Sequence, residues 1–346
     1  MDQGYHGTKY ASQRVSDGKK STIKLGTFPS LAPRVNGTQM SIAGERRLDG
    51  VEISLDERKY FVGADAVVHV KGNLARVVPD NYSETPEYLA MYLGSLYHIA
   101  RDVLEPHRDK NELEIKFLMV GLPVNMYESN KERVKAMTKG KFELPPLPGR
   151  TEPLVVKVLH SAVLPQPHGS LIAYQRGDDD LTKETLVVFD VGGGTFDWYY
   201  FEDGNVHLPK SGALSQGMLA CAFAICDALE PGLRNNPAMV KRVDHALQTN
   251  QKTIRMDGQD VSIEEHMHLV DAILGGAISL ALEKVGHISN IDHFILSGGG
   301  GGVLASTLKR THPKVANRLF VTDEDPYFAN VKGFFMQAEM LLKGAR

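Results

Sequence analysis

Phe189-Asp190-Val191-Gly192-Gly193-Gly194-Thr195-Phe196-Asp197 follows directly on the apolar run Leu186-Val187-Val188. The segment reads as a buried strand ending on a carboxylate, a hairpin turn of three glycines, and a second strand opening on Thr195. A turn without side chains lets backbone N–H groups approach an anion closely. Asp190 would repel a bare phosphate, so its carboxylate fits such a site through a hydrated metal ion. Three glycines also weaken a hairpin that has no ligand to hold.

The rest of the chain is compatible with such an anion site and argues against several alternatives. With 346 residues it is long enough for two domains with substantial cores. A formal net charge of −3 gives no electrostatic case for wrapping nucleic acid over a large face. No run of about 18 apolar residues is present, so no membrane span is expected. The opening Met1-Asp2-Gln3 is neither basic nor apolar and does not read as a secretory signal. Cys221 and Cys226 lie in one apolar helical stretch and read as core thiols of a cytoplasmic protein. No Gly-x4-Gly-Lys-Ser/Thr, Cys-x2-Cys or Gly-x-Ser-x-Gly string occurs.

Strands alternate with helices in both halves, which predicts an α/β class. The first half is expected to carry strands at Thr22–Pro29, Gly50–Leu55, Lys59–Val62, Glu114–Val120 and Leu154–Val163. Its helices are expected at Thr85–Val103, Glu128–Met137 and His168–Arg176. Gly177–Asp180 reads as the loop into the second half, whose helices are expected at Leu214–Leu229, Ala238–Thr249, Ile263–Val285, Val303–Arg310 and Pro326–Leu342. The strand His293–Leu296 runs into five consecutive glycines, Gly298–Gly302, and Leu319–Thr322 reads as a short strand. Glu265-His266-Met267-His268 does not read as a metal site, because i, i+2 side chains diverge on a helix. Phe334-Phe335-Met336 and Met340-Leu341-Leu342 read as a core-packing helix rather than a membrane tag.

Four further segments share one logic with the Asp190 hairpin. Asp2-Gln3-Gly4-Tyr5-His6-Gly7-Thr8-Lys9 holds a carboxylate, turn glycines and a lysine seven residues after the aspartate. Val163-Leu164-Pro165-Gln166-Pro167 precedes small residues and Ala173-Tyr174. Ile295-Leu296-Ser297-Gly298-Gly299-Gly300 is a strand-to-helix turn, with backbone free to lie against a nucleoside at a helix N-terminus. Asp325-Pro326-Tyr327-Phe328-Ala329-Asn330-Val331-Lys332-Gly333 opens the last helix.

In order and kind these segments resemble the two phosphate loops, the two connecting helices and the adenosine motif of the actin superfamily. Gly4-Tyr5 with Thr8-Lys9, Phe28-Pro29-Ser30, Tyr60-Phe61-Val62-Gly63, Val120-Gly121-Leu122-Pro123, and Ser211-Gly212 with Gln216-Gly217 are similar to the plasmid-segregation actins of the ParM/StbA group and their archaeal relatives. A chaperone of that superfamily would carry a substrate-binding domain beyond these motifs, and the length of 346 residues leads us to expect the plasmid-segregation branch instead.

The resemblance implies an actin-like ATPase (ribonuclease H-like) fold with two domains around a central nucleotide cleft. Domain I would span 1–176 with a subdomain at about 28–80. Domain II would span 177–346 with a subdomain at about 218–260, and the helix 326–343 would return towards domain I. It further implies ATP, or GTP, with Mg²⁺ held through water by Asp2 and Asp190. Gln166 would orient the attacking water, and Gln166 and Asp190 would be the catalytic pair. Nucleotide contacts would come from Gly4, Tyr5, Thr8, Lys9, Gly192, Gly193, Gly194, Thr195, Gly217, Lys241, Gly298, Gly299 and Gly300. Assembly into homopolymeric filaments and coupling to a DNA-binding adaptor at a plasmid centromere are implied in turn, with no direct nucleic-acid or membrane partner. A non-filamentous regulator or chaperone-like ATPase on the same fold is the alternative. The family's first apolar strand is represented here by Met1 alone, and a start lying upstream is expected.

Overall fold

A computed structural model of the chain describes residues 1–4, 6–16, 18, 21–35, 48–70, 81–174, 183–320 and 325–344. The first half runs β1 (Asp2–Gln3), β2 (Gly7–Ser16), β3 (Ser21–Pro29), β4 (Val51–Leu55), β5 (Arg58–Val62), α1 (Pro86–Leu104), β6 (Glu112–Leu122), α2 (Val124–Thr138), β7 (Gly140–Leu144), β8 (Leu154–Pro165) and α3 (Gln166–Tyr174). The second half runs β9 (Leu186–Val191), β10 (Phe196–Glu202), β11 (Asn205–Val206), β12 (Gly212–Leu214), α4 (Met218–Leu229), α5 (Pro237–Gln248), β13 (Thr253–Met256), β14 (Gln259–Ser262), α6 (Met267–Val285), β15 (His293–Ser297), α7 (Gly301–Thr311), α8 (Pro313–Ala316), β16 (Leu319–Phe320) and α9 (Ala329–Gly344).

Two mixed sheets are built on one plan. The first has the order β3-β2-β1-β6-β8-β7 and the second β11-β10-β9-β15-β16, with β12 also on β10. Each opens on an antiparallel pair, β1–β2 or β9–β10, and continues with parallel strands, β6 and β8 or β15 and β16. Parallel strands covered by helices must be apolar on both faces. Accordingly, all six residues of β9 are buried. Although β1 is only two residues long, it occupies the centre of its sheet, and Met1 lengthens the ladder by accepting from Gly121 N and donating to Met119 O. The neighbouring strands therefore keep paired amides at the point where a lost strand would have orphaned them.

Helix caps follow the sequence. Thr85 accepts from Tyr88 N ahead of Pro86, and Asn236 accepts from the amides of Ala238 and Met239 ahead of Pro237. Several boundaries differ from expectation. The helix expected from Leu214 begins at Met218, because Gly212–Leu214 pairs with Phe196–Trp198 as β12. Helix α2 starts at Val124, directly after Pro123, rather than at Glu128, and α6 starts at Met267 after a single 3₁₀ turn. The closing helix begins at Ala329, following a 3₁₀ turn at Pro326–Phe328 that Asp325 caps. The expected loop at 177–180, and residues 175–176 and 321–322 of the expected elements, lie outside the described residues.

Helix α9 packs on α3, β6 and β2, with Val331 and Phe334 fully buried. In its last turns Met340, Leu341 and Leu342 are exposed, so only the first half of this helix is core-packing as expected. Cys221 and Cys226 are buried free thiols, and burial pushes them up to about 12 and about 11. Among the described residues no helix is long and apolar enough to cross a membrane.

Candidate functional site

The two hairpins face each other across a cavity of about 270 Å³. Asp2, Gly4, His6, Gly7 and Lys9 line it from the first sheet's hairpin. Asp190, Gly192–Gly194, Thr195 and Asp197 line it from the second. Gln166, from the start of α3, and Gly299, Gly300 and Tyr327 close the floor, while Lys241, Asp244, His245 and Gln248 of α5 form a wall. Of the predicted contacts, the cavity brings together Asp2, Gly4, Lys9, Gln166, Asp190, Gly192, Gly193, Gly194, Thr195, Lys241, Gly299 and Gly300. Tyr5 lies outside the described residues.

Three predicted contacts stand off the cavity. Thr8 and Lys9 are neighbours on β2, so their side chains point to opposite faces. Lys9 takes the cleft, and Thr8 is fully buried behind it with its hydroxyl on Ser30 Oγ at 2.9 Å. Gly217 lies beneath the glycine hairpin, where a Cβ would come within 2.6 Å of the carbonyls of Gly192 and Gly193. Gly298 makes the turn itself, with φ +81°, and its N–H donates to Pro326 O.

The start of α4 aims the glycine hairpin. The N–H groups of Gly217, Met218 and Leu219 donate to the carbonyls of Gly194, Gly192 and Gly193 respectively. No described peptide bond is cis, so each N–H points opposite to the carbonyl of its own peptide plane. The N–H groups of Gly193, Gly194 and Thr195 therefore point away from α4, towards the cavity. Three convergent amides form an anion nest. The two hairpins also come close at Gly193: a Cβ there would lie 2.4 Å from His6 Cβ, which only glycine avoids.

Charge is concentrated between the hairpins. Asp2 and Lys9 are Cα partners across β1–β2, with Nζ 3.4 Å from Oδ2. Asp2 Oδ1 accepts from Gln166 Nε2 at 2.7 Å. Asp190 Oδ2 accepts from Asn330 Nδ2 at 2.6 Å. Burial raises the Asp190 carboxyl above the usual range, opposed by Lys9 and reinforced by Asp2. Asp197, paired with Asp190 across β9–β10, is pushed up to about 7 by burial and then by Asp190. Burial alone would lower Lys9, but Asp2, Asp190 and Tyr327 together outweigh it and the lysine is held above its ordinary value. Its Nζ lies 4.6 Å from the centre of the Tyr327 ring.

Among the described residues no group of three or more His, Cys, Asp or Glu could hold a metal directly. Two buried carboxylates without a third ligand fit a hard cation that keeps most of its water, as Mg²⁺ does.

Sequence reasoning missed His6, Asp244, His245, Gln248 and Tyr327. Lys241, Asp244, His245 and Gln248 form a polar i, i+3, i+4, i+7 stripe that was legible as one helix face. Arg242, outside that stripe, donates to Arg255 O. His6 Nε2 sits 3.8 Å from Asp244 Oδ2, a contact across the cleft that no local pattern announces.

Residues 1–169 match the family described as Actin like proteins N terminal domain. No curated protein matches the sequence. Among solved structures, that of the actin-like protein Alp7A superposes with a TM-score of 0.72 at 17% identity, covering 99% of this chain and 96% of that one. The Alp12 filament structure gives 0.62 at 16% identity, over 99% and 97%. Bacillus thuringiensis ParM with AMPPNP gives 0.65 at 15% identity, over 99% and 98%.

Proposed function

We propose that the chain is a member of the actin superfamily, a reading supported by the actin-like N-terminal domain match over residues 1–169 and by the shared fold, and that its cleft binds and hydrolyses ATP, with GTP as the alternative nucleotide. The observation that carries this reading is the pair of facing hairpins, which present Lys9 and three backbone N–H groups to one cavity with a buried carboxylate on each side. A similar fold, that of Bacillus thuringiensis ParM, holds AMPPNP.

In this reading Lys9 and the amides of Gly193, Gly194 and Thr195 grip the phosphates. Asp2 and Asp190 hold Mg²⁺ through its water shell, and the ion supplies charge neutralisation to the phosphoryl group. Gln166 orients the attacking water. Its Nε2 is committed to Asp2, which leaves the amide oxygen to accept from that water. Phosphoryl transfer depends on positioning more than on a strong base, so a neutral amide suffices. Gly299 and Gly300 offer bare backbone to the nucleoside, and Lys241 reaches it from α5.

The same reading extends to self-assembly, supported by the likeness to Alp12, whose structure is that of a filament. A triphosphate held from both hairpins favours the closed cleft, and its loss releases one set of contacts. Closed and open protomers then present different surfaces to the polymer. Movement of plasmid DNA through a DNA-bound adaptor, in the cytoplasm, completes the proposal.

Light scattering and cosedimentation with ATP, GTP, ADP or no nucleotide, each with Mg²⁺ or EDTA, test it. Rapid polymer formation with ATP and Mg²⁺ is expected. Failure to bind any nucleotide refutes the cleft assignment, and binding without polymer favours a non-filamentous ATPase.

A further inference from the structure

Asn330 lies on the first turn of α9, only 2% exposed, at the back of the cavity. Its Nδ2 donates to Asp190 Oδ2 at 2.6 Å and reaches Asp2 Oδ2 at 3.5 Å. Its Oδ1 accepts from Ser170 Oγ at 2.6 Å and faces Ser297 Oγ at 3.4 Å. The chemistry fixes this orientation: ionised carboxylates only accept, so the NH₂ must face them and the oxygen must face the hydroxyls. One amide thus touches a carboxylate from each sheet, with a hydroxyl from α3 and another from β15 behind it.

The position of that amide is set by backbone. Helices α3 and α9 cross with no side chain between them: a Cβ on Gly333 would fall 1.7 Å from Gly169 O, and one on Gly169 would fall 2.1 Å from Asn330 O. Side-chain rearrangement alone cannot relieve such a contact. The separation of Asp2 and Asp190 is therefore tied, through one side chain, to the crossing of the helices that join the two halves.

We propose that Asn330 is a positioning residue of the cation site, holding the carboxylates of Asp2 and Asp190 in the mutual geometry that a hydrated divalent ion requires and linking that geometry to the α3–α9 crossing. The proposal rests on the nucleotide and Mg²⁺ reading above. Outer partners that orient metal-binding groups commonly change metal affinity by about 10- to 100-fold when removed.

The test measures Mn²⁺ binding to the AMPPNP complex by electron paramagnetic resonance, alongside AMPPNP binding in EDTA by calorimetry. Asn330→Ala is expected to weaken Mn²⁺ about tenfold while metal-free AMPPNP affinity stays within about twofold. Ser170→Ala removes the hydroxyl that orients the amide and touches no carboxylate; a smaller loss, about threefold, is expected. Val331→Ala, at a fully buried neighbour whose apolar side chain makes no hydrogen bond to either carboxylate, should lower thermal stability and leave Mn²⁺ affinity unchanged. Wild-type Mn²⁺ affinity in both Asn330→Ala and Ser170→Ala overturns the proposal, as does an equal loss in Val331→Ala, which would make the effect one of packing. If Asn330→Ala does not fold, Ser170→Ala decides. Wild-type protein that binds no AMPPNP removes the nucleotide reading itself, a result distinct from these.

Discussion

The two hairpins place their charges in the same register and with opposite sense. In each, the carboxylate at the end of the first strand is the Cα partner of the residue seven positions later: Asp2 with Lys9, Asp190 with Asp197. The first hairpin carries its own counter-ion. The second sets two buried carboxylates side by side, and burial, reinforced by the neighbouring Asp190 charge, pushes Asp197 up to about 7. Similar backbones thus do unequal electrostatic work. The second hairpin needs a cation from elsewhere, and Lys9 across the cleft meets only part of that need.

Removing the deficit at its source has the largest expected effect. Asp190→Ala should abolish nucleotide-dependent sedimentation and weaken Mg-ATP binding by at least about 100-fold, about 2.7 kcal/mol. Retained Mg²⁺-dependent assembly would mean that the second hairpin does not hold the ion. Gln166→Ala should permit assembly and slow phosphate release on the order of 100-fold. Ordinary turnover in that variant would end its assignment as the water-orienting group.

A matched pair of threonines sharpens the contrast between the hairpins. Thr195 lines the cavity and Thr8 does not. Thr195→Val should weaken ATP binding several-fold, about 1 kcal/mol. Thr8→Val should leave binding unchanged and cost about 1 kcal/mol of stability through the lost bond to Ser30. Equal effects on binding would make the hairpins equivalent after all.

The smallest effect concerns the packing behind the first hairpin. His98 is buried against Tyr10 and Phe28 of β2 and β3, and burial, followed by the Arg101 cation, lowers it from 6.5 to about 4, with Asp49 and Asp102 pulling the other way. Between those values the unfolded chain binds more protons than the folded one, so this residue's contribution to stability falls as pH falls from 6.5 to about 4. Thermal unfolding of His98→Phe across that window should show a shallower pH slope than wild type. An identical slope would show that the histidine is not held neutral.

How much of this was legible in the sequence follows the same contrast. The second hairpin was readable in one stretch, because an apolar strand, three glycines and Thr195 are consecutive. The α/β order and most helices followed from periodicity. Thr8 was misplaced although alternation along β2 puts it opposite Lys9, so the motif outweighed the geometry. Met218 replaced Leu214 as the helix start because the β12–β10 pairing is a tertiary choice that local propensity does not encode. His6–Asp244 and Asn330 with Ser170 were out of reach for the same reason: their partners are more than 100 residues away in the chain and meet only once both sheets exist.

The bonds from the start of α4 to the glycine turn carry one more consequence. Because Gly192, Gly193 and Gly194 spend their carbonyls on that helix, the turn cannot tilt without carrying the helix along. Helix α4 has 12 residues, about 18 Å of rigid rod at 1.5 Å each. A rotation of a few degrees where the amides meet an anion becomes a displacement of an ångström or more at its far end near Leu229, as a lever magnifies a small movement at its fulcrum.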